Sequence, residues 1–269
     1  MRHHGFRIFH FIVPIAVILA AVLLGYARPV SAQVTNRNNL GTEFYFAFFP
    51  NEGGEVDQGF ETLNTTDLYL TSRVPAKGEV DVPALNFYQT FTTTPGQITT
   101  IVLPNGNNNS QSVLLPESAD EQVTHGMAVH VTSDSAIAVF GMNHKEFSSD
   151  AFMALPVNVL GTEYRTMNYP TSEPRNDGDT PGEFVIVAVH DSTNVTVTLR
   201  DVTSRGTAAN TPIPILMMAG DVYLVQGNPS QSGNDLTGSL IESDQPIAVL
   251  SGHKRTEIPS GATNTDGQA

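Results

Sequence analysis

Pieces of this chain occur twice, and that duplication constrains its fold more than any other feature. Thr132 to Lys145 (TSDSAIAVFGMNHK) returns as Glu242 to Lys254 (ESDQPIAVLSGHK). Gly41 to Phe44 (GTEF) returns as Gly161 to Tyr164 (GTEY), and Pro95 to Pro104 (PGQITTIVLP) is echoed by Ala219 to Gly227 (AGDVYLVQG). The offsets differ: 110 from Ser133 to Ser243, 120 from Gly41 to Gly161 and 124 from Gly96 to Gly220. Each unit therefore carries its own loop insertions. At roughly 110 residues it is too large for a solenoid rung or a propeller blade of about 40 to 45 residues.

The apolar clusters within each unit have the length and flanks of strands. Gly41–Phe49, Asp67–Ser72, Ile98–Pro104, Met127–Ser133 and Ile137–Gly141 fill the first half. Glu183–His190, Asn194–Arg200, Asp221–Gly227, Leu236–Ser243 and Ile247–Gly252 fill the second. These runs are rich in Val, Ile, Thr, Tyr and Phe and are separated by Gly, Pro, Asn, Asp and Ser, which predicts an all-β protein. In Asn194–Arg200, Val195, Val197 and Leu199 alternate with Thr196, Thr198 and Arg200, so one face is wet. Glu183–His190 and Gly41–Phe49 are apolar on both faces, as strands between two packed layers are. The Ser-Asp pairs at 133–134 and 243–244, and the Gly96 and Gly220 dipeptides, read as turns leading into strands. The expected architecture is tandem antiparallel β-sandwich-like repeat units, with a β-propeller fragment as the alternative. The units are set at residues 36–160 and 161–269.

The first 32 residues stand apart. Arg2 and Arg7 precede an apolar run from Phe11 to Leu24, which leads to Val30-Ser31-Ala32. Positive start, apolar run and small-residue site, in that order, make a secretory signal peptide with cleavage after Ala32. The run is shorter than the roughly 20 residues that span a bilayer. The expected location is therefore secreted or cell-surface, with no membrane insertion after cleavage. Removing residues 1–32 takes three arginines and no acid, so 13 basic and 27 acidic residues become 10 and 27, a charge of −17. Such a chain repels nucleic acid. It has no cysteine, which for an exported chain of this size suggests a bacterial source.

Four residues are candidates for ligand binding: His144-Lys145 and His253-Lys254, which follow matching strands. Asn176, Asp177, Asp179 and Glu183 supply closely spaced oxygens in and beside a Gly- and Pro-containing loop, a candidate calcium site that departs from the EF-hand order. No other cofactor is expected. Tyr88, Phe91, Phe147 and Phe152 lie near loops, an aromatic content that suits binding. His190-Asp191 has no accompanying nucleophile motif, and adjacent residues of an extended chain face apart, so no catalytic set is expected.

The order GTEFYFAFFPN, TSDSAIAVFGMNHKEFSSDAFMALPVNVLGTEY, GEFVIVAVHDSTNVTVT, AGDVYLVQG and DLTGSLIESDQPIAVLSGHK resembles the IgGFc-binding protein N-terminal domain family. The resemblance runs from about Leu40 to the C-terminus. It implies a β-rich extracellular domain of mucus-associated animal proteins and large bacterial surface proteins, often beside other adhesion modules, and for the animal protein it implies binding of immunoglobulin G Fc. In that family a Cys-Asp-His-containing stretch follows the second His-Lys pair. Here the sequence runs from Arg255 to Ala269 without it, so the second unit is expected to be incomplete at its C-terminus and further domains of a longer chain are possible partners. The expected function is a non-catalytic extracellular binding or adhesion module for a protein or glycan. The alternatives are a structural stalk or surface spacer and a secreted hydrolase.

Overall fold

The computed structural model describes residues 39–51, 65–105, 111–144, 149–171, 181–254 and 256. It is all-β, and its strands form two seven-stranded antiparallel sheets. The first sheet contains β1 (Gly41–Phe46), β2 (Thr65–Ser72), β3 (Ala76–Val82), β4 (Phe87–Thr93), β5 (Thr99–Val102), β7 (Val129–His144) and β8 (Asp150–Met153). The second contains β6 (Val123–Thr124), β9 (Gly161–Arg165), β10 (Gly182–Ala188), β11 (Thr193–Thr198), β12 (Pro212–Met217), β13 (Val222–Gln226) and β14 (Leu240–His253). β6 comes from the first half of the chain and pairs with β13.

The repeated sequences mark a repeated topology. The strand order β4-β3-β7-β2-β5 of the first sheet recurs as β12-β11-β14-β10-β13 in the second. β1 pairs with β7 as β9 pairs with β14. Gly41 lies opposite Ile137, as Gly161 lies opposite Ile247. Ser72 also lies opposite Ile137, and Ala188 opposite Ile247. The three sequence offsets are thus three register relations between corresponding strands.

The Ser-Asp segments are not turns between strands. Each lies inside one long strand, β7 or β14, where the strand exchanges one neighbour for the next. The first part of β7 pairs with β3, and the part from Ile137 onward pairs with β2. Polar side chains hold this change of partner. Ser133 Oγ donates to Ser135 O at 2.8 Å, and Ser243 Oγ donates to Gln245 O at 2.6 Å. Asp134 Oδ1 accepts from Lys77 N and Asp244 Oδ1 from Asn194 N, each at 2.9 Å. The neighbouring backbone N–H that the irregularity would leave unpaired is therefore bonded. The glycine turns are as expected: Gly96 and Gly220 adopt φ of +73° and +83°, and their N–H groups donate to Ser72 O and Ala188 O. Positive φ is the conformation that glycine adopts without steric cost.

Each sheet curls around its own core. Phe44 and Phe46 of β1, Leu68 and Leu70 of β2, Val80 of β3 and Val139 of β7 join one buried cluster. Phe184 and Ile186 of β10, Val195 and Val197 of β11 and Ile241 of β14 join another. A third cluster forms the seam between the units, where Val185, Val187, Leu224 and Ala248 meet Ala47, Met127 and Ala128, with Tyr45 and Phe49 packed against them. β10 and the segment from β1 to Phe49 are therefore apolar on both faces because each serves its own core on one side and the seam on the other.

Candidate functional site

At one end of the seam the chain leaves a cleft of about 330 Å³. It gathers the segment after β1, the β7–β8 ends of the first unit and the end of β14 in the second. Its apolar lining is aromatic. The Phe48 ring meets Phe46 and Phe152 edge-on, at centroid separations of 6.0 and 5.3 Å. The Phe49 ring lies over Gly252 so closely that a Cβ there would come within 2.9 Å of it. Glycine at 252 thus lets an aromatic from one unit lie flat on a strand of the other.

The polar lining comes from both units. Asn51 Nδ2 donates to Asn143 Oδ1 at 3.1 Å. Ser149 Oγ, also in the lining, is hydrogen-bonded to His144 Nδ1 at 2.7 Å. His253 presents its ring edge-on to Tyr169 at 6.5 Å, and Lys254 Nζ pairs with Glu117 Oε1 at 2.8 Å. Asp150 completes the rim.

Opposite Gly252 in the sheet stands Glu183, fully buried. Its Oε2 accepts from Gln226 Nε2 at 2.9 Å. Burial, with lesser contributions from the nearby Glu117 and Asp120 carboxylates, pushes its carboxyl up to about 8, against smaller opposing effects of the Gln226 bond and Lys254. Asp120 accepts from Gln226 N at 2.9 Å and from Ser204 Oγ, and burial raises its pKa as well. Glu183 is therefore held in its neutral form near neutral pH, close to the Lys254–Glu117 ion pair.

Two of the sequence candidates lie at this cleft. His253 and Lys254 line it. His144 lies one residue beyond the lining residue Asn143, and Lys145 lies outside the described residues. The strand register refines their correspondence: Asn143 lies opposite Thr66 as His253 lies opposite Gly182, so His144 corresponds to Lys254. One residue of slip turns a side chain to the other face of a strand, so the two histidines do not occupy equivalent places. Of the calcium candidates, Asn176, Asp177 and Asp179 lie outside the described residues, and Glu183 is in the interior. Among the described residues no group of three or more His, Cys, Asp or Glu side chains is placed to hold a metal ion. Phe152 lines the cleft, Phe91 is a core residue, and Tyr88 is exposed, its hydroxyl donating to Glu79; Phe147 lies outside the described residues. Sequence reasoning missed Phe48, Phe49, Asn143 and Asp150. The signal that could have found the first two is the two-faced pattern of Gly41–Phe49, which places Phe48 and Phe49 where the core and the seam meet.

The described residues thus form a duplicated all-β protein with a cleft lined from both of its sheets. Residues 150–268 match the family model described as IgGFc binding protein. The human IgGFc-binding protein is 28% identical over 243 residues, which cover 88% of this chain and 4% of the human protein. The chain thus corresponds to a small part of that relative's length. No solved structure matches. Among the described residues no helix is long and apolar enough to cross a membrane.

Proposed function

We propose that this chain is a non-catalytic extracellular binding or adhesion module that takes a protein or glycan ligand at the cleft between its two units. The observation that carries this reading is the cleft itself, where the Phe48, Phe49 and Phe152 rings lie beside the Asn51, Asn143, Asp150, His253 and Lys254 side chains. A concave surface with an apolar floor and a few convergent polar groups is the usual form of a binding site. The name of the human relative supports a protein ligand, with the Fc part of immunoglobulin G as the first to test. Export through a signal peptide cleaved after Ala32 belongs to the same reading, as does the division into units 36–160 and 161–269.

The test is to probe the purified chain against immunoglobulin G Fc and against glycan and protein arrays, with and without calcium. The calcium arm addresses the oxygen-rich residues Asn176, Asp177 and Asp179. Binding to a defined ligand is expected, and His253→Ala or Asp150→Ala should weaken it at least about tenfold, as loss of one well-placed polar contact does. Uniformly negative arrays, or binding unaffected by either substitution, would remove the cleft from this role.

A further inference from the structure

The duplication shows how each face of a unit is covered, and among the described residues two regions equivalent to seam surfaces carry exposed apolar side chains. In the second unit, Val185 lies opposite both Leu224 and Leu250, and this row is packed into the seam. The corresponding row in the first unit is Thr100, Tyr69 and Phe140, with Tyr69 opposite both of the others. It extends to Met153 on β8, which lies opposite Phe140. Directly paired residues on neighbouring strands share a face, so these side chains form one continuous outer surface. That surface is open: Phe140 is 37%, Met153 42% and the adjacent Val102 58% exposed.

The complementary half of the seam also has an open counterpart. The second unit's face docks on Tyr45, Ala47 and Phe49 of the first. Tyr45 and Arg165 hold the same register place on β1 and β9, and counting on along the chain past the ends of those strands sets Met167 against Ala47 and Tyr169 against Phe49. Met167, in the place of the buried Ala47, is 81% exposed. The chain thus displays a counterpart of the inserting face of its own internal seam on the first unit and, at Met167, a counterpart of the receiving face on the second.

We propose that the Tyr69–Phe140 face of the first unit docks on the Met167 face of the second unit of another copy of this chain, so that copies associate head to tail. A second copy is the occupant because it carries the counterpart of the surface that already covers the equivalent row within the molecule. Asp67 holds the register place of Glu183, which the internal seam buries in its protonated form, so covering Asp67 opposes association at neutral pH as burial of Glu183 opposes folding. A heterologous contact of this kind leaves each new end open and extends beyond a dimer. The chain's formal charge of −14 opposes such stacking, and salt screens that repulsion.

Sedimentation velocity on the purified chain tests the proposal from about 1 µM to about 100 µM, the range in which a contact of moderate affinity declares itself. Species heavier than a dimer are expected as concentration rises, and more so at about 0.5 M than at about 0.15 M salt. Phe140→Glu alone and Met167→Glu alone should each reduce association at least about tenfold with unchanged circular dichroism. Mixed in equal amounts, the two variants should form a dimer and stop there, since each retains the face that the other lacks. Val102→Glu, on the same exposed face, substitutes for Phe140→Glu if that variant loses its native spectrum. A wild-type chain that stays monomeric at both salt levels, association indifferent to both faces, or a mixture that remains monomeric would overturn the proposal.

Discussion

Glu183→Gln should stabilise this protein and flatten its response to pH. The carboxyl sits at 0% exposure in β10, with Gln226 as its hydrogen-bond partner, and burial lifts it from an ordinary 4.5 to about 8. The charged groups that act on it are Glu117 and Asp120, which raise it further, and Lys254, which lowers it. The folded state therefore holds a proton that the unfolded chain releases. Stability from this source is complete below the unfolded value of 4.5 and is lost as pH rises through about 8. At pH 7 the native protonated acid competes with an ionised unfolded one, a cost of about 3 kcal/mol that grows toward about 5 above pH 8. Glutamine is neutral at every pH, can keep the oxygen that accepts from Gln226, and bears no such cost. In a domain of this size about 3 kcal/mol corresponds to a melting-temperature gain of roughly 6–12 °C at pH 7. Melts of both proteins between pH 4.5 and 8.5 measure it: the wild-type midpoint should fall relative to the variant throughout the window. Asp120, also raised, is present in both proteins and largely cancels in the difference. Parallel pH curves, or a variant less stable than wild type at pH 8, would refute the reasoning.

Tyr164→Phe should cost about 1–2 kcal/mol in chemical denaturation, because the hydroxyl accepts from Gly161 N at 2.7 Å and donates to Ile247 O at 2.8 Å. The first unit has Phe44 at the same register position, so the loss makes the second unit resemble the first without disturbing its core. Asp244→Ala should accelerate hydrogen exchange at the Asn194 amide, which donates to that carboxylate. Bonds from the Asn194 side chain and backbone hold the Asp244 carboxyl below its usual range, so protection of that amide in the wild type should persist to more acidic pH than an ordinary aspartate would allow.

What could be read in the sequence and what could not divides along physical lines. The two-faced runs at Phe44–Phe49 and Phe184–Val189 placed those strands between layers, because apolar residues on both sides of a pleat have no other stable location. β3 and β12 escaped notice. β3 carries Lys77, Glu79 and Asp81 among its core valines, and β12 carries Pro212 and Pro214. Among the described residues β12 pairs only with β11, and an edge strand can hold prolines because its outer N–H groups have no ladder to serve. The continuity of β7 and β14 was hidden for a different reason: Ser-Asp is a turn signal by local chemistry, and only the change of neighbour at Ile137 and Ile247 shows that the same bonds support a bend. The cleft was half visible, since strand-end histidines mark where loops gather, but its aromatic floor is assembled by the seam. Differences between the duplicates then carry information that neither carries alone. Where Val185 and Leu224 are covered, the half-buried Tyr69 and the exposed Thr100 stand at the same positions, the polar drift expected of a solvated face. Phe140 and Val102 do not follow that drift, although both are exposed. With Met153, this apolar group on a face whose equivalent is buried in the other unit is the feature on which the proposed head-to-tail contact rests.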